Sequence, residues 1–193
     1  MSYSIVTRYQ VADPSALIKK APEIREKIVA AGAEGAALIQ PIVAGPSVGT
    51  MAALSVWNSV DAGIEGLGKL YADPDIEALR EGNPTLDRSI WKLKMSFGDI
   101  DGQYIGVTRF TASELSERGV AIAWEKGKAQ GITAIRASHC IAGGDNVGSY
   151  RAMFFTNSLD AWAQTIAELQ ADDEYLSEIE RTNFKPVFRG IAR

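Results

Sequence analysis

Asn58-Ser59-Val60-Asp61-Ala62 recurs 99 residues later as Asn157-Ser158-Leu159-Asp160-Ala161. Moving outward at the same offset, Gly32 matches Gly131, Ile42 matches Ile141 and Gly45 matches Gly144. Val48-Gly49 matches Val147-Gly148, Ala53 matches Ala152, Leu70 matches Leu169, and Ala72-Asp73 matches Ala171-Asp172. From 32 to 73, 13 of 42 aligned positions agree. Random pairs at roughly 6–8% agreement would give about three, so the match is a repeat and not a coincidence of composition. Upstream, Val6-Thr7-Arg8 recurs as Val107-Thr108-Arg109 at an offset of 101. The two-residue change in offset falls in the first helix, which is longer in the first copy.

Each half reads in the same order. Tyr3 to Val11 is rich in β-formers and reads as a strand. Asp13-Pro14 opens a helix, with Asp13 as cap and Pro14 in the first turn. Leu17, Ala21, Ile24 and Ile28 fall on one helix face, and Gly32 ends it. Ala36 to Ala44 and Thr50 to Trp57 pair as a hairpin around Gly45-Pro46-Ser47-Val48-Gly49. A helix capped by Ser59 or Asp61 follows, then a short helix after Asp73-Pro74, then a strand from Ser89 to Phe97. The second half predicts strands over 104–111, 132–142, 149–156 and 186–191. Its helices fall over 113–130, with Ser113 as cap, then 159–169 and 173–181.

This order of elements is the split βαβ, or ferredoxin-like, plan. The expected fold is α+β: two fused ferredoxin-like βαββαβ repeats, with antiparallel sheets packed into an α+β barrel. Repeat 1 spans 1–97, a glycine-flanked linker 98–102, and repeat 2 spans 103–193. Element order and duplication together resemble the dimeric α+β barrel superfamily, over nearly the whole chain. That superfamily includes antibiotic-biosynthesis-type monooxygenases, haem-degrading oxygenases, polyketide cyclases, NIPSNAP-like and stress-responsive barrel proteins, and chlorite-dismutase-like haem proteins. Fold does not fix function among them.

Composition narrows the classes. The chain has 193 residues, 46% hydrophobic and 23% charged, which is ordinary globular usage. Lys plus Arg is 20 and Asp plus Glu 24, giving net charge −4. A weakly acidic chain lacks the cation excess that releases counterions from phosphates, so no nucleic-acid partner is expected. One His and one Cys cannot build a closed Cys/His zinc site, and no metal is expected. Neither a secretory leader nor an apolar run of about 18 residues is read, so a cytoplasmic location without membrane contact is expected. Free Cys140 suits a reducing compartment.

Several motifs read as structure. Gly63-Ile64-Glu65-Gly66-Leu67-Gly68-Lys69 nearly spells a phosphate loop, but Leu70 stands where Ser or Thr must follow the Lys. Its glycines suit close helix packing instead. Gly143 to Gly148 precedes a strand where a dinucleotide fingerprint needs a helix. Asp172-Asp173-Glu174 lies just before a helix and reads as cap and dipole partners.

The candidate site residues gather in repeat 2. His139 shares a strand face with Ile135, Ala137 and Ile141, and adjacent Cys140 points the other way. Arg109 lies mid-strand, where a charge must be paired, edge-exposed or ligand-facing. Where repeat 2 has His139, Tyr150, Arg151 and Trp162, repeat 1 has Gln40, Met51, Ala52 and Gly63. With Trp124, these give the aromatic walls and few polar groups that a small-molecule site needs. Trp57 and Asn58 keep a rival pocket open in repeat 1. The expected ligand is a small apolar or aromatic molecule.

The resemblance implies, for an enzyme, a cofactor-independent oxygenase, or a cyclase or isomerase. His139 would then transfer the proton and Arg109 would stabilise an enolate or carboxylate. The alternatives are a haem protein with His139 as axial ligand and a non-catalytic stress-response or binding protein. A monomer or a homodimer is compatible with the fused barrel.

Overall fold

The computed structural model describes residues 2–193. Nine strands and seven helices follow the expected order. They are β1 (Tyr3–Gln10), α1 (Pro14–Lys19), α2 (Ala21–Ala30), β2 (Gly35–Ile39), β3 (Pro41–Val43), β4 (Thr50–Trp57), α3 (Val60–Tyr71), α4 (Pro74–Glu81) and β5 (Thr85–Gly98). Then come β6 (Tyr104–Thr111), α5 (Glu117–Gln130), β7 (Ile132–Ala142), β8 (Tyr150–Thr156), α6 (Leu159–Gln170), α7 (Asp173–Arg181) and β9 (Lys185–Ala192). The fold is α+β, with antiparallel pairing in the ferredoxin-like order.

Two compact units divide the chain. Unit 1 holds residues 2–41, Gly45–Lys92 and Cys140–Val147. Unit 2 holds Ile42–Ala44, Leu93–His139 and Gly148–Arg193. Strand order is β2-β4-β1-β5 in the first and β7-β8-β6-β9-β3 in the second. The long strands β5 and β7 are divided between the units at Lys92/Leu93 and His139/Cys140.

Local chemistry sets the element ends. Asp13, Ser59, Asp73, Ser116, Ser158 and Asp172 each accept a backbone N–H as helix N-cap. The expected helix from Ser113 begins at Glu117 instead, because Ser116 Oγ takes Gly119 N–H at 2.8 Å. The single helix expected before Gly32 breaks at Lys20, where Pro22 occupies the first turn of a new helix. Pro41 likewise splits the expected second strand into β2 and β3. Gly131 ends α5 at φ +102°, a conformation other residues rarely adopt.

Each unit buries one face of its sheet under its helices. In unit 1, Ile5, Ile28, Trp57, Leu67, Leu70 and Ile76 form the core. Gly63 and Gly66 of α3 lie directly on the Trp57 ring, with no room for a Cβ at Gly66. Unit 2 reverses this arrangement. Trp162 comes from α6, at the position of Gly63, and lies over Gly106 of β6. Val120, Ile122, Ile132, Ile135, Phe154 and Leu169 complete that core. Burying one such side chain stabilises by roughly 1.5–3 kcal/mol. Among the described residues no helix is long and apolar enough to cross a membrane.

Candidate functional site

Strand alternation places Thr108 and Phe110 of β6, Ile135, Ala137 and His139 of β7, and Tyr150, Ala152 and Phe154 of β8 on the helix-covered face of unit 2. Between that face and α5, α6 and α7 lies a cleft of about 630 Å³, its open mouth included. Small residues make the space: Gly119 and Ala123 on α5, and Ala152 on β8. Phe110, Val120, Ile135, Phe154, Ile179 and Phe184 give it apolar walls.

A few polar groups converge on the cleft. Thr108 is 5% exposed, and its Oγ1 is buried without a hydrogen-bond partner. Such a buried orphan costs about 1–3 kcal/mol, so it needs an explanation. Arg189 of β9 stands directly across from Thr108 and its side chain lines the cleft. Tyr175 of α7 also lines the cleft. Burial raises its phenol above the ordinary value, and the Arg189 charge pulls it down by less. Tyr175 is therefore a neutral donor near pH 7. At the rim, Ser116 donates to Glu178 at 2.7 Å, and Arg181 pairs with both Glu114 and Glu178.

The sequence candidates fall into separate groups. His139 is half-buried and stacks on Tyr150 with ring centroids 4.8 Å apart. Tyr150 stacks on Phe110 at 5.7 Å, and Phe110 meets Phe184 at 4.4 Å. This row of rings leads to the cleft, but His139 and Tyr150 do not line it. Arg109 and Arg151 are cross-strand partners on the opposite face of the same strands. Arg151 is buried there and donates to Ser138 Oγ at 3.3 Å. One ligand on the helix face therefore cannot touch His139 and Arg109 together.

Trp124 stacks on Phe97 at 5.9 Å, away from the cleft. Trp162 Nε1 is buried over Gly106 without a hydrogen-bond partner. Trp57 is 1% exposed and donates to Ser55 Oγ at 2.8 Å, while Asn58 is exposed. Unit 1 does hold a matching cleft of about 480 Å³, lined by Tyr9, Ile24, Leu38, Ala53, Leu70 and Ile76 among others, and not by Trp57. Burial pushes the Tyr9 phenol up to about 12.

Sequence reasoning passed over Thr108, Tyr175 and Arg189. The available signal was the triplet Val-Thr-Arg, whose Thr recurs with its Arg neighbour. No group of three or more His, Cys, Asp or Glu residues that could hold a metal occurs among the described residues. The cleft walls offer no imidazole or thiolate to a haem iron, and His139 stands outside them.

No protein-family model matches the sequence, and no curated protein matches it. Solved structures do match. An anthrone oxidase-like protein is 15% identical, with 99% of this chain and 90% of that chain covered and a TM-score of 0.59. A candidate monooxygenase from Lactobacillus acidophilus NCFM is 13% identical, with 99% and 91% covered and a TM-score of 0.59. Chlorite dismutase from Candidatus Nitrospira defluvii is 10% identical, with 100% and 91% covered and a TM-score of 0.58. At such identities the likeness is one of fold alone: this chain shares the α+β fold of these proteins.

Proposed function

We propose that this protein binds a small, largely apolar or aromatic molecule in the unit-2 cleft. The buried Thr108 hydroxyl, left without a partner on the floor of an apolar cleft, carries the reading. Apolar walls supply the free energy of transfer, and Thr108, Tyr175 and Arg189 orient a polar end of the ligand. The test uses ligand-observed NMR with naphthalene- and biphenyl-sized molecules. Ala152→Trp fills the floor and abolishes binding, whereas Ala53→Trp at the matching place in unit 1 leaves it. Retained binding in a folded Ala152→Trp variant overturns the reading.

A catalytic reading rests on strand register, which puts His139 on the same sheet face as Thr108 and Ala152 of the cleft. On it the protein is a cofactor-independent oxygenase, or a cyclase or isomerase. His139 lies beyond Phe110 and Tyr150, so on this reading it moves the proton only of a substrate that extends past both rings, and Arg189, which faces the cleft as Arg109 does not, holds the oxyanion. His139→Ala then lowers kcat by about 100-fold or more at unchanged ligand affinity. Unchanged turnover removes His139 from the reaction. The haem alternative needs an imidazole facing an open slot, and the His139 ring is packed on Tyr150 instead. Haem added to the protein is expected to give no Soret shift, and a shifted Soret band lost in His139→Ala would restore that alternative.

A further inference from the structure

Thr7 and Thr108 occupy equivalent places, and so do Arg88 and Arg189. Each Thr is the direct cross-strand partner of its Arg, Thr7 with Arg88 and Thr108 with Arg189. The same register shift follows in both pairs, after Arg8 and after Arg109. The same strand register therefore carries the two corners.

Their contents differ. In unit 1 the corner is closed by the chain itself. Arg88 Nε donates to Thr7 Oγ1 at 3.0 Å, and the Arg88 NH2 group donates to the Tyr71 hydroxyl. The Arg80 guanidinium lies 3.9 Å from the Tyr71 ring centroid, over its face. Neither Thr7 nor Arg88 lines the unit-1 cleft. In unit 2 each of these partners is replaced. Gln170, exposed, stands 99 residues after Tyr71, and Ile179 stands 99 after Arg80. Thr108 Oγ1 and Arg189 are left facing the cleft.

We infer that the unit-2 cleft takes a phenol, a hydroxylated aromatic ring whose oxygen is held by Arg189 and Thr108. Tyr71 is the built-in occupant of the same corner in unit 1. The inference rests on the ligand-binding reading above and names its ligand class. The chemistry is that of the unit-1 corner. A guanidinium N–H donates to the phenol oxygen, the Thr hydroxyl completes the corner, and the ring lies on apolar and aromatic walls. Phe110 and Phe184, with ring centroids 4.4 Å apart, are two of those walls. Because the Thr108 hydroxyl is buried without a partner, a ligand hydroxyl that satisfies it adds selectivity over the bare ring.

The whole chain is titrated by calorimetry with 1-naphthol, naphthalene and 1-naphthoate. The expected result is one 1-naphthol per chain, bound about tenfold or more tighter than naphthalene. Arg189→Leu, at an exposed side chain, removes that advantage, so that 1-naphthol and naphthalene then bind alike. Tyr71→Gln opens the unit-1 corner and raises the stoichiometry to two, whereas Tyr71→Phe keeps it at one. Equal binding of 1-naphthol and naphthalene overturns the phenol while the ligand-binding reading stands. Tighter, Arg189-dependent binding of 1-naphthoate overturns the phenol in favour of a carboxylate. No binding of any of the three overturns the cleft reading itself. A folded Tyr71→Gln variant that still binds one molecule overturns the built-in occupant, and the Arg189→Leu arm decides the ligand class without it.

Discussion

Arg88 Nε donates a 3.0 Å hydrogen bond to Thr7 Oγ1, whereas the matching Thr108 Oγ1, buried across from Arg189, has no partner. Two threonines in one register position thus carry opposite energetic signs. The first is satisfied inside the protein, and the second is held ready for something outside it.

Valine substitution reads this difference. Thr7→Val removes an acceptor from Arg88 and lowers the unfolding free energy by about 1 kcal/mol. Thr108→Val removes an orphaned hydroxyl and raises it by about 1 kcal/mol. Urea denaturation of both variants without ligand checks the pair. Destabilisation of the same size at both sites would mean that Thr108 is satisfied as Thr7 is.

Packing of α3 on Trp57 gives a second test. A Cβ at Gly66 would enter the Trp57 ring, so Gly66→Ala costs about 1–3 kcal/mol. Gly68 on the exposed side of the same helix has open space, and Gly68→Ala stabilises by about 1 kcal/mol. Thermal unfolding should move the two variants in opposite directions.

Acid stability should trace two equivalent ion pairs. Lys27 Nζ meets Asp73 at 2.8 Å, and Lys126 Nζ, 99 residues on, meets Asp172 at 2.7 Å. The lysine in each pair, helped by backbone N–H groups, holds the carboxyl below its ordinary value. A depressed folded value means that the contribution is complete above the unfolded value, about pH 4. It is lost as pH falls through the lower folded value. The melting temperature should therefore fall more steeply below about pH 4 than above it. Asp73→Asn with Asp172→Asn keeps both caps and removes the charge, so the acid limb becomes shallower. An unaltered acid limb would assign the loss to other carboxylates.

The architecture was legible because it is written in periodic signals. Repeated turn glycines, caps such as Ser59 and Ser158, and alternating strands such as β1 and β6 each act locally. The breaks at Lys20 and Pro41 were less legible, because the hydrophobic pattern runs on through them. The site was mostly hidden. His139, Arg109 and Arg151 were singled out by residue type, but strand register then divided them between two faces. Trp162 looked like a binding residue because Gly63 stands in its place in the first half. Its partner change is Gly106, at a different offset, and the two together are a compensated packing swap. Thr108 and Arg189 are 81 residues apart in sequence, and only the β6–β9 pairing makes them neighbours.

Intermolecular NOEs between bound 1-naphthol and isoleucine methyl groups locate the ligand in one cleft or the other. The two clefts carry different isoleucines: Ile135, Ile166 and Ile179 in unit 2, and Ile24, Ile28 and Ile76 in unit 1. A ligand seated in the unit-2 cleft gives NOEs to the methyls of Ile135, Ile166 and Ile179. NOEs confined to Ile24, Ile28 and Ile76, or to no isoleucine of either cleft, would contradict that seating.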